Sequence, residues 1–414
     1  MILSPQYIKV SVMNGLNKMF KEKFPIFKKT DMVFLDSAAS TQKPQVVLDT
    51  LLNFYQTEYA NVHRGSCHLS NIATIKYEQA RQTIAHFINA PKNQIIFTKG
   101  ATESINLVAQ GYLSLLQPED EVLVSIAEHH ANFVSWQQVA KRVGARFVTF
   151  DIKSNGELDL DDFKEKLTSK TKIVAVSYLS NVLGVENPVL EIISQAHKMG
   201  ARVLIDGAQA IAHKKVDLET LDADYFVFSG HKMYAPTGIG VLYGKKEALE
   251  TLPPYQYGGD MVREVGLKET TFKDIPYKFE AGTPPFAEAI ALASAAHFLT
   301  DISMEKIERY EKELTKYLLD ELKKIDSVEI LSPNEKKEGI VSFTVKNIHS
   351  SDIAFILAEQ SICVRVGHHC AMPLHERLGK EVSLRVSLAI YNDKNDIDKF
   401  IIALKKSISL FEKG

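Results

Sequence analysis

Three cysteines in 414 residues, at Cys67, Cys363 and Cys370, are too few and too scattered for a disulfide framework. An odd set of this kind points to a reducing compartment and leaves at least one thiol free for chemistry. Net charge is scarce too: 49 Lys and Arg against 51 Asp and Glu leave a formal charge of -2. With no basic arm and no long block of one sign, nucleic acid and membrane surfaces are excluded as main partners. No apolar run reaches the roughly 18–20 residues that a membrane helix needs. The opening "MILSPQYIKVSVMNGLNKMFKEKF" lacks the apolar core and small-residue cleavage site of a secretory leader. A cytoplasmic location is therefore expected. Internal repeats, low-complexity tracts and Ser/Gly-rich linkers are absent as well. What is present, 45% hydrophobic and 24% charged residues, suffices for a substantial core and two domains.

From about residue 80 to 245, short β-rich runs alternate with helix-like segments. "NQIIFTKG" leads into "ATESINLVAQGYLSLL", "DEVLVSIAEHH" into "ANFVSWQQVAKRVG", "TKIVAVSYLS" into "VLEIISQAHKMG", and "ARVLID" into a short loop. This βαβ rhythm predicts an α/β fold: a large domain with a mostly parallel, seven-stranded-type sheet sandwiched by helices. The last hundred or so residues read as a smaller α+β domain, joined through the long amphipathic stretch near 302–325. The expected division is 1–30 as an N-terminal segment belonging with the small domain, 31–300 as the large domain and 301–414 as the small one.

Polar residues gather where the predicted strands end. Thr102 follows the first, His129 the second, Asn181 the third, Asp206 and Gln209 the fourth, and Ser229, His231 and Lys232 the fifth. In sheets of this kind ligands bind at the carboxyl ends of the strands, so the set is a candidate site although each member alone reads as a cap or loop residue. A lysine there suits an amine nucleophile that captures a carbonyl cofactor as a Schiff base, pyridoxal phosphate being the usual case. Asp206 would then pair with the ring nitrogen, or else merely cap the next element. The Gly100-Ala101-Thr102 turn at a helix start suits the phosphate, with donors from Ser229 and His231. His129 would lie on the ring face, and Gln209 would reach the phenolic oxygen.

A second cluster, "CVRVGHHCAMP", spans residues 363–373. Three readings of Cys370 stand open: an inert structural cysteine, a metal ligand with His368, His369 and His375, or a catalytic thiol if the loop faces the lysine. Arg385, in an otherwise apolar strand, requires a partner, either a substrate carboxylate or a structural acid.

Together "DGAQA", "SGHKMYAPTGIG", "EAGTP" and "RVGHHCAMP" resemble the fold-type I pyridoxal phosphate enzymes of the aminotransferase class V group, and most of all the Suf-type, group II cysteine desulfurases. The likeness runs from "FLDSAASTQKP" near residue 34 to "SLAIYN", by way of "NVHRGSCHLS", "EHHANFVSWQ" and "SNVLGVENP". It implies a cytoplasmic homodimer that converts L-cysteine to L-alanine with a persulfide on Cys370 and supplies sulfur for iron-sulfur cluster assembly. Lys232 would carry the cofactor and move protons, beside Asp206, Gln209 and His129. Thr102, Ser229 and His231 would hold the phosphate, with Thr283 reaching it from the other subunit. Asn181 and Arg385 would hold the substrate carboxylate, and a small sulfur-acceptor protein of the Suf system would take the sulfur. The resemblance also sets His63 and Arg64 near the site mouth and begins after the first twelve residues, with Met13 an alternative start. Ala101, where such enzymes often carry threonine, and Cys67 depart from the pattern.

Two other functions compete. A selenocysteine lyase acting on L-selenocysteine shares the scaffold, and a metal-dependent hydrolase would use the His/Cys cluster instead.

Overall fold

The computed structural model describes residues 20–63 and 65–412. The expectations for the first twelve residues, for Met13 and for Arg64 lie outside the described residues. The large sheet has seven strands. In chain order they are β1 (Ile95–Thr98), β2 (Glu121–Ser125), β3 (Arg146–Phe150), β4 (Thr171–Ser177), β5 (Arg202–Asp206), β6 (Tyr225–Ser229) and β7 (Gly240–Gly244). Their spatial order is β1-β7-β6-β5-β4-β2-β3, and only β7 runs antiparallel to its neighbours. The mostly parallel sheet expected from the βαβ rhythm is thus what forms.

These strands read as unbroken apolar runs because both faces are covered. Leu123, Val174, Val203, Ile205, Phe226 and Phe228 enter one core, which includes the helices His68–Phe87 and Phe286–Ile302. Val122, Val124, Ile173, Leu204, Tyr225 and Val227 enter the other, against the helices Ala101–Gly111 and His130–Val143. Successive residues of one strand take opposite faces, as the two-residue period requires.

At one edge β7 slides beneath the turn that follows β1. A Cβ on Gly240 would sit 2.3 Å from the Gly100 Cα, so glycine is required there for the turn to approach the sheet. This close approach sets the position of the Ala101–Gly111 helix start.

A second, four-stranded antiparallel sheet follows in the chain: β8 (Val328–Ile330), β9 (Ile340–Val345), β10 (Arg365–Gly367) and β11 (Ser383–Ser387), in the order β8-β9-β11-β10. Helices Met304–Leu322, Ser350–Glu359 and Lys394–Phe411 cover it through a core of Leu314, Leu318, Ile353, Leu357, Phe400 and Leu404. The amphipathic stretch expected near 302–325 is this first helix; it is set off from Phe286–Ile302 at Ser303, whose φ of 81° breaks the run. The chain near the start of the described residues binds the two parts together. Val33–Phe34 pairs in parallel with Ile362–Cys363, and Asp36 bridges Ser387. Phe24 packs against Tyr234, Phe298 and Tyr391. The carboxyl ends of β4–β6 and the edge of the small sheet therefore face one another across a cleft.

Candidate active site

That cleft holds a cavity of about 260 Å³. Its wall contains Thr102, His129, Asn181, Asp206, Gln209, Ser229, His231, Lys232, Cys370 and Arg385. Ten residues expected from strand ends and from one distant loop are thus brought to a single chamber. Thr283 is the exception: it is exposed and lies outside the cavity, on the loop before the helix Phe286–Ile302.

Lys232 ends the short helical turn that follows β6. Its amine makes no hydrogen bond and no ion pair among the described residues, and its partly buried side chain faces the cavity. Burial lowers its pKa, the Asp206 carboxylate opposes that shift, and Arg385 reinforces it. An amine held toward its neutral form is nucleophilic. Asp206, at the end of β5, is 7% exposed; burial raises its pKa, while Lys232 and the Ala208 N–H, 2.9 Å from Oδ1, pull it back. One carboxylate oxygen serves the turn as a cap and the other is left for a ligand. The capping read from the sequence is thus present, and it engages only one of the two oxygens.

His129 caps the helix His130–Val143, its Nδ1 accepting the Ala131 N–H at 3.1 Å. The hydrogen of the neutral ring is thereby placed on Nε2. Burial, then Lys232, holds this imidazole down to about 4, and burial with Lys232 and Lys43 does the same for His231. Near neutral pH both rings are uncharged. The Gln209 amide spends one N–H on the Ala38 carbonyl at 2.9 Å and keeps a second. Ser229 Oγ accepts the Ala101 N–H at 2.8 Å, which fixes the helix start beside Thr102.

On the opposite wall the antiparallel register sets Arg365 directly across from Arg385. Two like charges in such a pair repel. Asp36 resolves the conflict: both its oxygens lie 3.1 Å from Arg365 Nε, and Oδ1 lies 3.3 Å from an Arg385 terminal nitrogen. Arg385 also donates to the Asn181 carbonyl at 3.0 Å, yet its Nε remains buried without a partner among the described residues. A structural acid is thus present and does not exhaust the guanidinium.

Cys370 is exposed to the cavity, whereas burial and Asp36 raise the thiol of Cys363, and Cys67 is exposed at the start of the helix His68–Phe87. The thiol loop is pinned. The Asn181 side chain donates to the His369 carbonyl at 2.6 Å, and the His130 N–H to the Cys370 carbonyl at 2.6 Å. His369 and His375 turn toward Ser383 instead of a shared centre, and among the described residues no group of three or more His, Cys, Asp or Glu is arranged for a metal ion.

Three groups in or behind the chamber wall went unread in the sequence. Asp36 and Arg365 meet Arg385 only through long-range pairing. Glu128, fully buried, accepts from Asn132 and from the Ser177 N–H, and burial raises it to about 7. Its one signal was the acid beside two histidines in "EHH".

The chamber fits a flat, phosphorylated aldehyde of the pyridoxal phosphate kind. A cavity-facing amine without a partner among the described residues, a buried acid with a free oxygen, and a helix start with hydroxyl and imidazole neighbours are the three anchors such a molecule needs.

Comparison with known proteins agrees. The aminotransferase class-V family model matches residues 33–400. A cysteine desulfurase of Haloferax volcanii is 43% identical over 386 residues, covering 92% of this chain and 91% of its own. A probable cysteine desulfurase of Vibrio cholerae is 45% identical over 381 residues, covering 92% and 94%. Among solved structures, the Escherichia coli cysteine desulfurase CsdA, in its S-sulfonic acid form, superposes with a TM-score of 0.90 at 39% identity, over 95% of this chain and 98% of that one. The apo cysteine desulfurase of Thermococcus onnurineus gives 0.90 at 36%, over 93% and 96%. With the family match running through both sheets and the cleft between them, the chain belongs to the aminotransferase class-V family.

Proposed function

We propose that the protein is a pyridoxal phosphate-dependent cysteine desulfurase of the Suf type, converting L-cysteine to L-alanine and holding the sulfur as a persulfide on Cys370. The observation that carries this reading is the placement of Cys370 in one chamber with Lys232, Asp206 and Arg385. Bound there, the cofactor supplies an electron sink for the substrate carbon skeleton.

The chain supplies the rest. Lys232 would hold the cofactor through its amine and would move a proton at the substrate α-carbon. Asp206 keeps the ring nitrogen protonated; His129 covers the ring face; the free Gln209 N–H meets the phenolic oxygen. Thr102, Ser229 and His231 hold the phosphate, and Thr283, outside the chamber of its own chain, reaches it across a homodimer. Arg385, and Asn181 through its second amide hydrogen, hold the substrate carboxylate. The Cys370 thiolate attacks the substrate sulfur. The C–S bond breaks, its electron pair takes up a proton at the β-carbon, and Cys370 keeps the sulfur as S–SH. A small acceptor protein of the Suf system then draws that sulfur off for iron-sulfur cluster assembly, in the cytoplasm. Residues 31–300 form the cofactor-binding domain and 301–412 the small domain that carries the thiol, with residues 20–30 belonging to the latter.

The deciding test is incubation with L-cysteine followed by amino-acid analysis and peptide mass mapping. Alanine and a labile sulfur on the Cys370 peptide are expected. Sulfide and pyruvate with an unmodified thiol would sink the reading. Asp206→Ala should slow turnover roughly 100- to 1,000-fold, the scale of losing one preorganised charge in a desolvated site. A variant with wild-type spectrum and rate would remove Asp206 from this role.

A further inference from the structure

Glu128 is a fully buried acid that the proposed reaction does not use, and its bonding fixes where hydrogens can sit. Trp136 Nε1 donates to Asn132 Oδ1 at 3.2 Å, so the Asn132 amide nitrogen faces Glu128 and donates to Oε2 at 2.7 Å. Oε1 accepts the Ser177 N–H at 2.9 Å. Ser177 Oγ lies 3.2 Å from the same oxygen and takes a hydrogen from the Asn187 amide at 3.3 Å, which leaves its own O–H for Glu128. An acid proton on Glu128 would meet a donor at either oxygen, so the local bonding suits a carboxylate. Burial opposes ionisation, and the balance sets the group at about 7.

Glu128 makes no ion pair among the described residues. The groups that face it are Ser125 at the end of β2, Asn132 on the helix His130–Val143, Ser177 at the end of β4 and Asp206 at the end of β5. Ser177 stands directly opposite Asp206 in the pairing of β4 with β5, and neighbouring strands lie about 4.8 Å apart. Glu128 thus reaches over β4 from outside the cavity wall, while Asp206 and Ser177 form part of that wall. Two carboxylates placed in this way each make the other hold a proton more tightly, and the charge of Asp206 does raise Glu128. Lys232 offsets the charge of Asp206.

We propose that Glu128 is a positioning residue that acts through Asp206: its negative charge behind the wall strengthens the hold of Asp206 on a shared proton and so keeps the ring nitrogen of pyridoxal phosphate protonated. This rests on the role given to Asp206 above and deepens it. A pyridine nitrogen is a weak base that, left to itself, gives up its proton below neutral pH. One carboxylate opposes that loss, and a second, one strand further along the sheet, adds to it without touching the ring. Below about 7 Glu128 is neutral and adds nothing, where the ring is readily protonated. Above that value it becomes charged, where the ring proton is most readily lost.

The first measurement needs no cofactor. In apoprotein with carbon-13 at the glutamate carboxyls, the Glu128 signal, assigned by its absence from Glu128→Asp, should titrate at about 7. Asp206→Asn keeps an oxygen for the Ala208 N–H and removes the charge, so it should lower that midpoint by about one pH unit. In the holoenzyme, with nitrogen-15 at the cofactor ring nitrogen, the wild-type signal at about pH 8 should be that of a protonated ring, Glu128 being charged there. Glu128→Gln should move the signal toward the neutral pyridine value, with the proton held about tenfold less tightly. Glu128→Asp, which keeps the charge and shortens the arm, should leave it in place. Packing alone would be disturbed by both substitutions, the charge by only the first. A Glu128 midpoint that Asp206→Asn leaves unmoved overturns the proposal. So does an unchanged ring-nitrogen signal in folded, cofactor-loaded Glu128→Gln; where that variant does not fold, the Asp206→Asn titration decides alone. A wild-type ring nitrogen found unprotonated would instead overturn the role of Asp206 itself.

Discussion

Lys232→Ala should abolish turnover and leave no peptide that retains the cofactor after borohydride reduction. The loss expected is on the order of 10⁴-fold or more, because a nucleophile and a proton carrier disappear together. Lys232 is the one lysine among the described residues that line the chamber, so no neighbour stands ready to replace it. Capture of added cofactor by the apoprotein should also depend on pH in a defined sense. The reactive form is the free amine, and burial lowers the pKa of Lys232, so the rate rises with pH up to that depressed value and is flat beyond it. Asp206 opposes the depression, and Asp206→Ala should therefore shift the midpoint to lower pH. Stopped-flow absorbance from pH 6 to pH 10 would follow both. Reduced cofactor found on Lys99 or Lys172, or a midpoint that moves upward in Asp206→Ala, would show that the chamber has been misread.

Much of this chamber was legible in the sequence because parallel strands deliver their ends to one edge. Once "TKIVAVS", "RVLID" and "YFVFS" are read as buried strands, Asn181, Asp206 and Lys232 must lie near one another. Local order says nothing of which strand neighbours which. β7 inserts between β1 and β6, a pairing set by the glycine contact between Gly240 and Gly100 across 140 positions of chain. The opposite wall was harder for the same reason. Arg385 called for a partner, but Asp36 stands 349 residues away and Arg365 reaches it only through the register of β10 on β11. The buried setting of Glu128 was invisible, since an acid at a strand end reads as solvated until the helix His130–Val143 closes over it.

The bonding of the Cys370 loop leads to the second large effect. The thiol cannot swing far: both flanking carbonyls are held, the Met372 N–H donates to His130 Nε2 at 3.1 Å, and β10 ends only three residues before Cys370. On the proposed reaction, a persulfide formed there would stay by the cofactor, a sulfur acceptor would have to come to the cleft with its own thiolate, and release of sulfur would limit the cycle. Wild-type enzyme mixed with L-cysteine should therefore release one alanine per active site in a burst and then proceed slowly. A strong reductant or the acceptor protein should speed the slow phase and leave the burst unchanged. Cys370→Ser keeps the volume of the side chain and the carbonyl bonds of the loop, so cofactor and L-cysteine should still bind, with a normal spectral response. It cannot attack sulfur as a thiolate does, and alanine formation should fall on the order of 10³-fold or more, beyond what general acid-base groups alone provide. Rapid-quench analysis of alanine in both proteins decides the matter. Equal alanine from Cys370→Ser, or a steady wild-type rate without burst and indifferent to reductant, would place the sulfur transfer somewhere other than this thiol.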